Sequence, residues 1–296
     1  MIYTVTFNPA IDYVMQLDRL NEGKTNRSKK EALYFGGKGI NVSAVLAQLG
    51  AKTTAMGFIA GFTGDALEKA VRESGVETDF VVLNKGYTRI NLKLKGEQET
   101  EINAQGPDIS ADKLEELYQK LDKLKKGDTL VLAGSVPSSL PQDIYESILK
   151  RLDGRGIRFV VDATKALLLN VLPYKPYLIK PNQHELEELF DRTFTNDEEI
   201  AEAAGYLQKK GAKNVLVSLG KNGALLLDEF GMLHRHPALG GKPVNTVGAG
   251  DSMVAGFLVG AEKDYAYALR LGSAAGGATA CSQGLAEEDD IMALMR

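Results

Sequence analysis

The heptapeptide Asn245-Thr-Val-Gly-Ala-Gly-Asp251 sets two glycines, several main-chain amides and one carboxylate directly ahead of the apolar stretch Ser252-Met-Val-Ala-Gly-Phe257. A helix starting here would offer first-turn amides that lack intrahelical acceptors, at the positive end of its dipole, a setting that attracts phosphate. Gly248 and Gly250 let the main chain approach an anion that side chains would hold off. Asp251 repels such an anion, so two readings of it stand side by side. It is a base that takes a proton during phosphoryl transfer, or it caps the helix it begins, a common role for Asp.

Three further clusters sit where a strand would give way to a helix. Gly36-Gly-Lys-Gly39 runs into Ile40-Asn41-Val42. It lacks the earlier glycine and the Ser or Thr of a Walker A loop, and no G-x-G-x-x-G occurs here or at 248–253. Lys38 suits a phosphate and Asn41 a sugar hydroxyl; the competing reading is a glycine turn with an exposed lysine. Lys180-Pro-Asn182 is followed by Glu185. Residues three apart share a helix face, so Asn182 and Glu185 would hold a hydrated Mg²⁺ indirectly, unless they are ordinary polar residues of a helix start. Ser218-Leu-Gly220 with Gly223 suits nucleotide phosphates or a plain tight turn. Ser135, in Ala133-Gly-Ser-Val-Pro137, is no nucleophile elbow because position 137 is proline. His184, His234 and His236 show no metal-ligand spacing.

Positioning these clusters requires alternating strands and helices, and most of the chain reads that way, which predicts a mostly parallel sheet with helices on both faces. Val42, Val45, Leu46 and Leu49 recur at helical spacing before Gly50, and Leu114, Leu117, Leu121 and Leu124 form a stripe between Ser110 and Gly127. Thr129-Leu-Val-Leu-Ala133, Arg158-Phe-Val-Val-Asp162 and Asn214-Val-Leu-Val-Ser218 read as buried strands. Pro141 opens a helix near its first turn, and Tyr265 to Ala280 is a closely packed helix rich in Ala and Gly. Two regions break the alternation. Residues 11–18 and 28–35 flank a turn at Asn21-Glu-Gly23, and 87–104 form a strand pair around Lys95-Gly96. Their alternation (Arg89, Asn91, Lys93 against Ile90, Leu92, Leu94) predicts a small sheet with one wet face, a cover that would exclude water from a phosphoryl-transfer site or simply pack as surface hairpins.

The 296 residues, with 44% hydrophobic and 25% charged content, describe a globular protein. A net charge of −4 offers no basic field for nucleic acid. The lone Cys281 rules out an internal disulfide and fits a reducing cytoplasm. Met1-Ile-Tyr-Thr-Val-Thr-Phe7 reads as a first strand, with no signal peptide. No apolar run approaches the roughly 18 residues of a membrane span.

Together with Asn8-Pro-Ala-Ile-Asp12, these clusters resemble the signatures of the ribokinase-like sugar kinases, the PfkB family, in the right order and over nearly the whole chain. Within that family, Asn8-Pro9 with Asp12, the lysine of the Gly-Gly-Lys-Gly cluster and Thr88-Arg-Ile-Asn-Leu-Lys-Leu94 look most like members acting on ketohexose phosphates. The resemblance implies one ribokinase-like kinase domain over 1–296 with β-lid segments at about 11–35 and 87–104. It implies Asp251 as base, with the amides of Gly248, Ala249 and Gly250 as anion hole. Asp12 and Asn41 would bind sugar hydroxyls, with Gly37, Lys38 and Ser135 in the substrate set. Arg89, with Lys24 or Arg27, would contact the substrate's phosphate. Lys180, Asn182, Glu185, Ser218, Gly220 and Gly223 would serve ATP, the Asn182/Glu185 pair with Mg²⁺. The implied reaction is ATP-dependent phosphorylation of fructose 1-phosphate at its 6-hydroxyl, giving fructose 1,6-bisphosphate. Tagatose 6-phosphate and fructose 6-phosphate are the rival substrates, and a non-catalytic sugar-phosphate or nucleotide-binding regulator is the rival class. A homodimer paired through the lid is also implied, with no nucleic-acid or membrane partner. Asn245 departs from the Asp with which many members begin the last motif.

Overall fold

Strands that are apolar at every position need helices on both sides, because neither face tolerates water. In the computed structural model, which describes residues 1–163 and 165–296, ten strands join into one sheet, with fully buried strands such as β4, β9 and β13 obeying this principle. They are β1 (Ile2–Thr6), β4 (Thr53–Ala60), β5 (Glu77–Thr78), β6 (Val81–Leu83), β9 (Thr129–Ala133), β10 (Arg158–Asp162), β11 (Leu178–Ile179), β12 (Asn214–Ser218), β13 (Ala224–Leu227) and β14 (Leu233–His236). Four others, β2 (Ala10–Gln16), β3 (Lys30–Gly36), β7 (Arg89–Lys95) and β8 (Thr100–Ile102), form a separate small sheet. The helices are α1 (Lys38–Gln48), α2 (Gly61–Glu73), α3 (Ala111–Leu121), α4 (Ile144–Leu152), α5 (Lys165–Val171), α6 (Gln183–Phe190), α7 (Asp197–Lys209), α8 (Ala249–Gly260), α9 (Tyr265–Cys281) and α10 (Glu288–Ala293).

The main sheet runs β14-β13-β12-β11-β10-β9-β1-β4-β5, with β6 also on β4. Every pairing from β12 to β5 is parallel. Leu130 and Leu132 of β9 point into the layer of α3 to α7, whereas Val131 and Ala133 point toward α1, α8 and α9. Each fully buried leucine stabilises the fold by roughly 1.5–3 kcal/mol. The antiparallel hairpin β13–β14 was not expected from the sequence. Its turn is built by Asp228, whose Oδ1 accepts the amides of Phe230 and Met232, each at 2.9 Å.

Helix limits differ from the periodicity reading at two points. Leu124 lies beyond the end of α3, and α4 begins three residues after Pro141. Leu124 still packs in the core, so its place in the apolar stripe comes from a turn that follows the helix. Helices α8 and α9 pack almost backbone to backbone. A Cβ at Gly256 would stand 2.6 Å from the Leu271 carbonyl, and one at Gly272 would stand 2.9 Å from that of Met253. No helix among the described residues is long and apolar enough to cross a membrane.

In the small sheet β2 pairs with β3 antiparallel and with β7 parallel, and β8 closes the other edge. The register aligns Asp12 with both Asn91 and Tyr34. The polar row, however, is the covered one. Asn91 is 6% exposed, whereas Ile90, Leu33 and Ile102 on the opposite face are 40, 54 and 55% exposed. The alternation correctly marks two unlike faces, but the face turned outward is apolar.

Candidate active site

The carboxyl ends of β1, β9, β10, β11 and β12 converge on one rim of the main sheet, the position where open α/β sheets bind ligands. Helix α1 can start hard against β1 because its first turn carries glycines. A Cβ at Gly37 would stand 2.5 Å from the Thr6 methyl and one at Gly39 would stand 2.8 Å from the Val5 carbonyl. Gly37 has φ 134°, and the Thr6 hydroxyl accepts the Ile40 amide at 3.0 Å. This seat directs Lys38 and Asn41 across the rim.

Opposite them lies the start of α8. Gly248 is its N-cap, in the left-handed conformation at φ 82° and without a side-chain cap. The first helical bond runs from the Ser252 amide to the Gly248 carbonyl at 2.9 Å, so the amides of Gly250 and Asp251 precede it as first-turn donors. Asp251 does not cap its own helix. Its Oδ2 accepts Asn41 Nδ2 at 2.8 Å. The group is 5% exposed, and its pKa is pushed up to about 7. Burial is the main cause and the charge of Asp162 adds to it, while Asn41, Lys38 and Lys180 oppose both.

Asp162, at the end of β10 and 2% exposed, stands between two ammonium groups. Its Oδ2 is 3.3 Å from Lys38 Nζ, and its Oδ1 is 3.7 Å from Lys180 Nζ. The second contact is an ion pair too long for a hydrogen bond, leaving Oδ1 a buried oxygen without a hydrogen-bond donor. Burial disfavours the charge on Lys38, but Asp162, Asp251 and Glu185 outweigh it and hold the pKa above the usual lysine value. Gly250 is what admits Lys180, whose Nζ lies 3.1 Å from where a Cβ would be. A buried carboxylate poised near neutrality beside two ammonium groups and open amides has the makings of a proton acceptor next to an anion.

Asn182 and Glu185 form a capping box on α6. Glu185 donates its amide to Asn182 Oδ1, and Asn182 donates its amide to Glu185 Oε2, both at 2.8 Å. Each bond uses one oxygen, so the pair has a structural duty that spacing alone did not separate from metal binding. Among the described residues no group of three or more His, Cys, Asp or Glu could hold a metal ion. A Mg²⁺ ion, which keeps several waters and takes one or two carboxylates plus phosphate oxygens, still fits the Glu185 carboxylate and the orphaned Asp162 Oδ1. Ser218 pairs with Asn182 as an isolated bridge at the same rim. Gly220 has φ 54°, and Gly223 admits a close strand approach, a Cβ there standing 2.1 Å from the His236 carbonyl.

On the side of the small sheet, Asp12 receives Asn91 Nδ2 at 2.8 Å and pairs with Lys93 at 3.4 Å. Lys93 also meets Glu101 at 3.3 Å. Arg89 spends Nε on the Asn8 carbonyl (3.2 Å) and Nη1 on that of Ala104 (3.3 Å). Burial lowers its pKa and the Asp12 charge partly restores it. A cavity of about 590 Å³ has Asp12, Tyr34, Gly37, Asn41, Lys93 and Leu285 in its walls.

Other expected residues stand apart. Arg27 and Lys24 are exposed in the loop between β2 and β3, and Ser135 is exposed just past β9, next to a glycine that packs on Lys38. Asn245 donates Nδ2 to the Gln283 carbonyl at 3.1 Å, a bond an aspartate could not make. Sequence reasoning missed Asp162 and Lys93. The signal for the first was a charge terminating a buried apolar strand; for the second it was the polar alternation shared with Arg89.

The pfkB carbohydrate kinase family profile matches residues 5–291. The chain is similar to a 1-phosphofructokinase of Bacillus subtilis, 44% identical over 100% of this chain and 97% of the relative. It is also similar to a D-tagatose-1-phosphate kinase of Bacillus licheniformis, 40% identical over 97% of this chain and 95% of the relative. Among solved structures, phosphofructokinase-2 of Escherichia coli in complex with substrates and products superposes with a TM-score of 0.92 at 30% identity, covering 99% of this chain and 97% of that one.

Proposed function

We propose that this chain, which belongs to the pfkB family of carbohydrate kinases, moves the γ-phosphoryl group of ATP to the 6-hydroxyl of fructose 1-phosphate. The products are fructose 1,6-bisphosphate and ADP. The observation that carries this reading is Asp251, buried in the first turn of α8 yet turned toward Asn41 instead of capping its helix.

Phosphoryl transfer needs in-line positioning and charge stabilisation more than covalent help. Asp251 uses the oxygen not held by Asn41 to take the proton of the acceptor hydroxyl, so that the oxygen attacks phosphorus as ADP departs. The amides at the start of α8, from Gly248 through Gly250, face the charge that builds on the transferring group, with Lys38 and Lys180 beside them. Glu185, with Asn182 through water, would hold Mg²⁺, which when bound would offset the negative charge of the nucleotide phosphates. Ser218 to Gly223 line the nucleotide's approach. Asp12, oriented by Asn91 and Lys93, accepts from sugar hydroxyls, while Gly37 lets the sugar lie against the main chain. Arg89 grips the phosphate already on the substrate through Nη2, the guanidinium nitrogen that makes neither main-chain bond; Arg27, Lys24 and Ser135 would join that subsite only by moving from the exposed positions they hold here.

A second substrate reading is D-tagatose 1-phosphate, favoured by the relative that carries that name. A coupled ADP-release assay across fructose 1-phosphate, D-tagatose 1-phosphate, tagatose 6-phosphate, fructose 6-phosphate and free fructose decides between them. Fructose 1-phosphate should give the highest kcat/KM. A preference for free fructose would overturn the substrate class, and tight binding without ADP formation would make the protein a regulator.

The kinase domain spans residues 1–296, its lid a cover that closes over the sugar, and a cytoplasmic location fits a kinase that draws on ATP. The outward apolar row of Leu33, Ile90 and Ile102 supports pairing of two lids in a homodimer. Leu33→Asp should convert a dimer to a monomer in sedimentation; a wild-type monomer would dismiss the pairing.

A further inference from the structure

Three buried groups behind the catalytic helix form a chain that the reaction described above does not use. The Ala286 amide donates to Thr279 Oγ1 at 3.1 Å, Thr279 Oγ1 lies 2.8 Å from Ser252 Oγ, and Ser252 Oγ lies 2.9 Å from the Gly248 carbonyl. Ser252 and Thr279 are fully buried. An amide only donates and a carbonyl only accepts, so the proton direction is determined. Ser252 must give its proton to Gly248, because otherwise two oxygens would face each other across 2.9 Å with no hydrogen between them. Its lone pairs therefore receive the Thr279 proton, and those of Thr279 receive the Ala286 amide.

Both ends of this chain matter. Gly248 supplies the carbonyl of the peptide whose N–H belongs to Ala249, in the stretch that opens α8. Donation to a peptide carbonyl polarises the peptide and strengthens its N–H as a donor. That N–H makes only a long bond to the Thr246 carbonyl, 3.3 Å, and is readily given to a stronger acceptor. At the far end, Ala286 follows Gly284 and Leu285, which line the cavity beneath the lid. Leu285 also closes on Gly248 directly, its Cδ2 lying 2.7 Å from where a Cβ would be.

We propose that Thr279 and Ser252 are positioning residues for phosphoryl transfer, a directed hydroxyl relay that ties the wall of the sugar cavity to the Gly248–Ala249 peptide and holds its N–H toward the migrating group. The proposal rests on the kinase reading. Neither side chain touches substrate, so their loss should act on turnover and leave sugar binding intact.

The test is a double-mutant cycle on the full chain, reading kcat, both KM values and Tm. Thr279→Val and Ser252→Ala should each lower kcat about tenfold, short of the ~10²–10³-fold typical when an oxyanion-hole donor is deleted. The KM for fructose 1-phosphate should stay within about twofold, and the double variant should be no worse than either single one. Thr279→Ser, which keeps the hydroxyl, should return kcat to within about twofold of wild type. Unchanged kcat per folded molecule in Thr279→Val, additive losses in the double variant, or a Thr279→Ser variant as slow as Thr279→Val would each overturn the relay. Should Thr279→Val fail to fold, Ser252→Ala and Thr279→Ser carry the same comparison. If wild type forms no ADP with any sugar phosphate, the kinase reading has failed separately. The positioning role then falls with it, and Tm tests only the coupling of the two hydroxyls, which additive losses overturn.

Discussion

Of the helices that open on this rim of the main sheet, α6 and α8 have mouths finished in opposite ways. Helix α6 is sealed by its own side chains, the Asn182 and Glu185 capping box satisfying two of its end groups. Helix α8 has a glycine N-cap, no side-chain cap and an acidic residue that turns away toward Asn41. Sealing a helix start with side chains typically stabilises a protein by about 0.5–2 kcal/mol. Leaving α8 unsealed gives up that stabilisation and keeps its amides available to an anion. A bare start is common in this fold, since α1 to α4 also lack a side-chain cap; what sets α8 apart is a left-handed glycine N-cap followed by a buried acid turned aside.

The largest effect should come from breaking the open mouth. Asp251→Asn keeps the shape and removes the proton acceptor, so kcat should fall by about 10²–10⁴-fold, as for other positioned bases. ATP affinity by calorimetry should stay near wild type, and near-full turnover would refute the assignment.

The same carboxylate sets a pH dependence. With a pKa near 7, it is protonated and idle in acid, so kcat/KM should rise as pH increases through about 7. Asp162 is one cause of that high value, and Asp162→Asn should move the rising limb toward lower pH. An unmoved limb would assign it to another group.

Stability should respond with the opposite sign. Asp251 titrates near 7 when folded against 3.8 as a free side chain, so the folded state binds its proton more tightly. Its contribution to stability is full below about pH 4, falls as pH rises to about 7, and is flat beyond. Asp251→Asn escapes that loss and should be more stable at pH 8, by at most about 4 kcal/mol from a shift of this size. Equal denaturant midpoints at pH 8 would show that the burial cost is relieved elsewhere.

The smallest effect tests the sealed mouth. Asn182→Ala should cost about 1 kcal/mol of stability, whereas Asn182→Ser, which still caps, should cost little. If Asn182→Ser nevertheless raises the Mg²⁺ concentration needed for half-maximal rate, the residue serves the ion as well as the helix. An unchanged Mg²⁺ requirement would leave it a cap alone.

Residues whose chemistry depends on local backbone were legible in advance. The glycine-to-Asp251 stretch and the Gly36–Gly39 cluster announce helix starts and close approaches, and their partners Lys38, Asn41 and Lys180 gather around Asp251 and Asp162 in space. What needed the third dimension was less visible. Asn-x-x-Glu spacing is identical for a capping box and a metal contact. Alternation along β7 gives a period of two and says nothing about which row faces in, so the burial of Asn91 and the exposure of Ile90 came as a reversal. Asp162 was hidden because it ends a run that reads as pure core, and the β13–β14 hairpin because Leu225 to Leu227 carry no mark of strand direction.

The bare glycine seam between α8 and α9 has a consequence for motion. With main chain lying against main chain at Gly256 and Gly272, and the Met253 side chain filling the seam beside Gly272 and Gly276, little room is left for one rod to slide on the other. The rod that carries Asp251 is thereby held tightly against α9, whereas the four-stranded flap across the cavity lines it with side chains. Attempts to broaden the range of accepted sugars are better directed at that flap, where a changed side chain meets give instead of backbone.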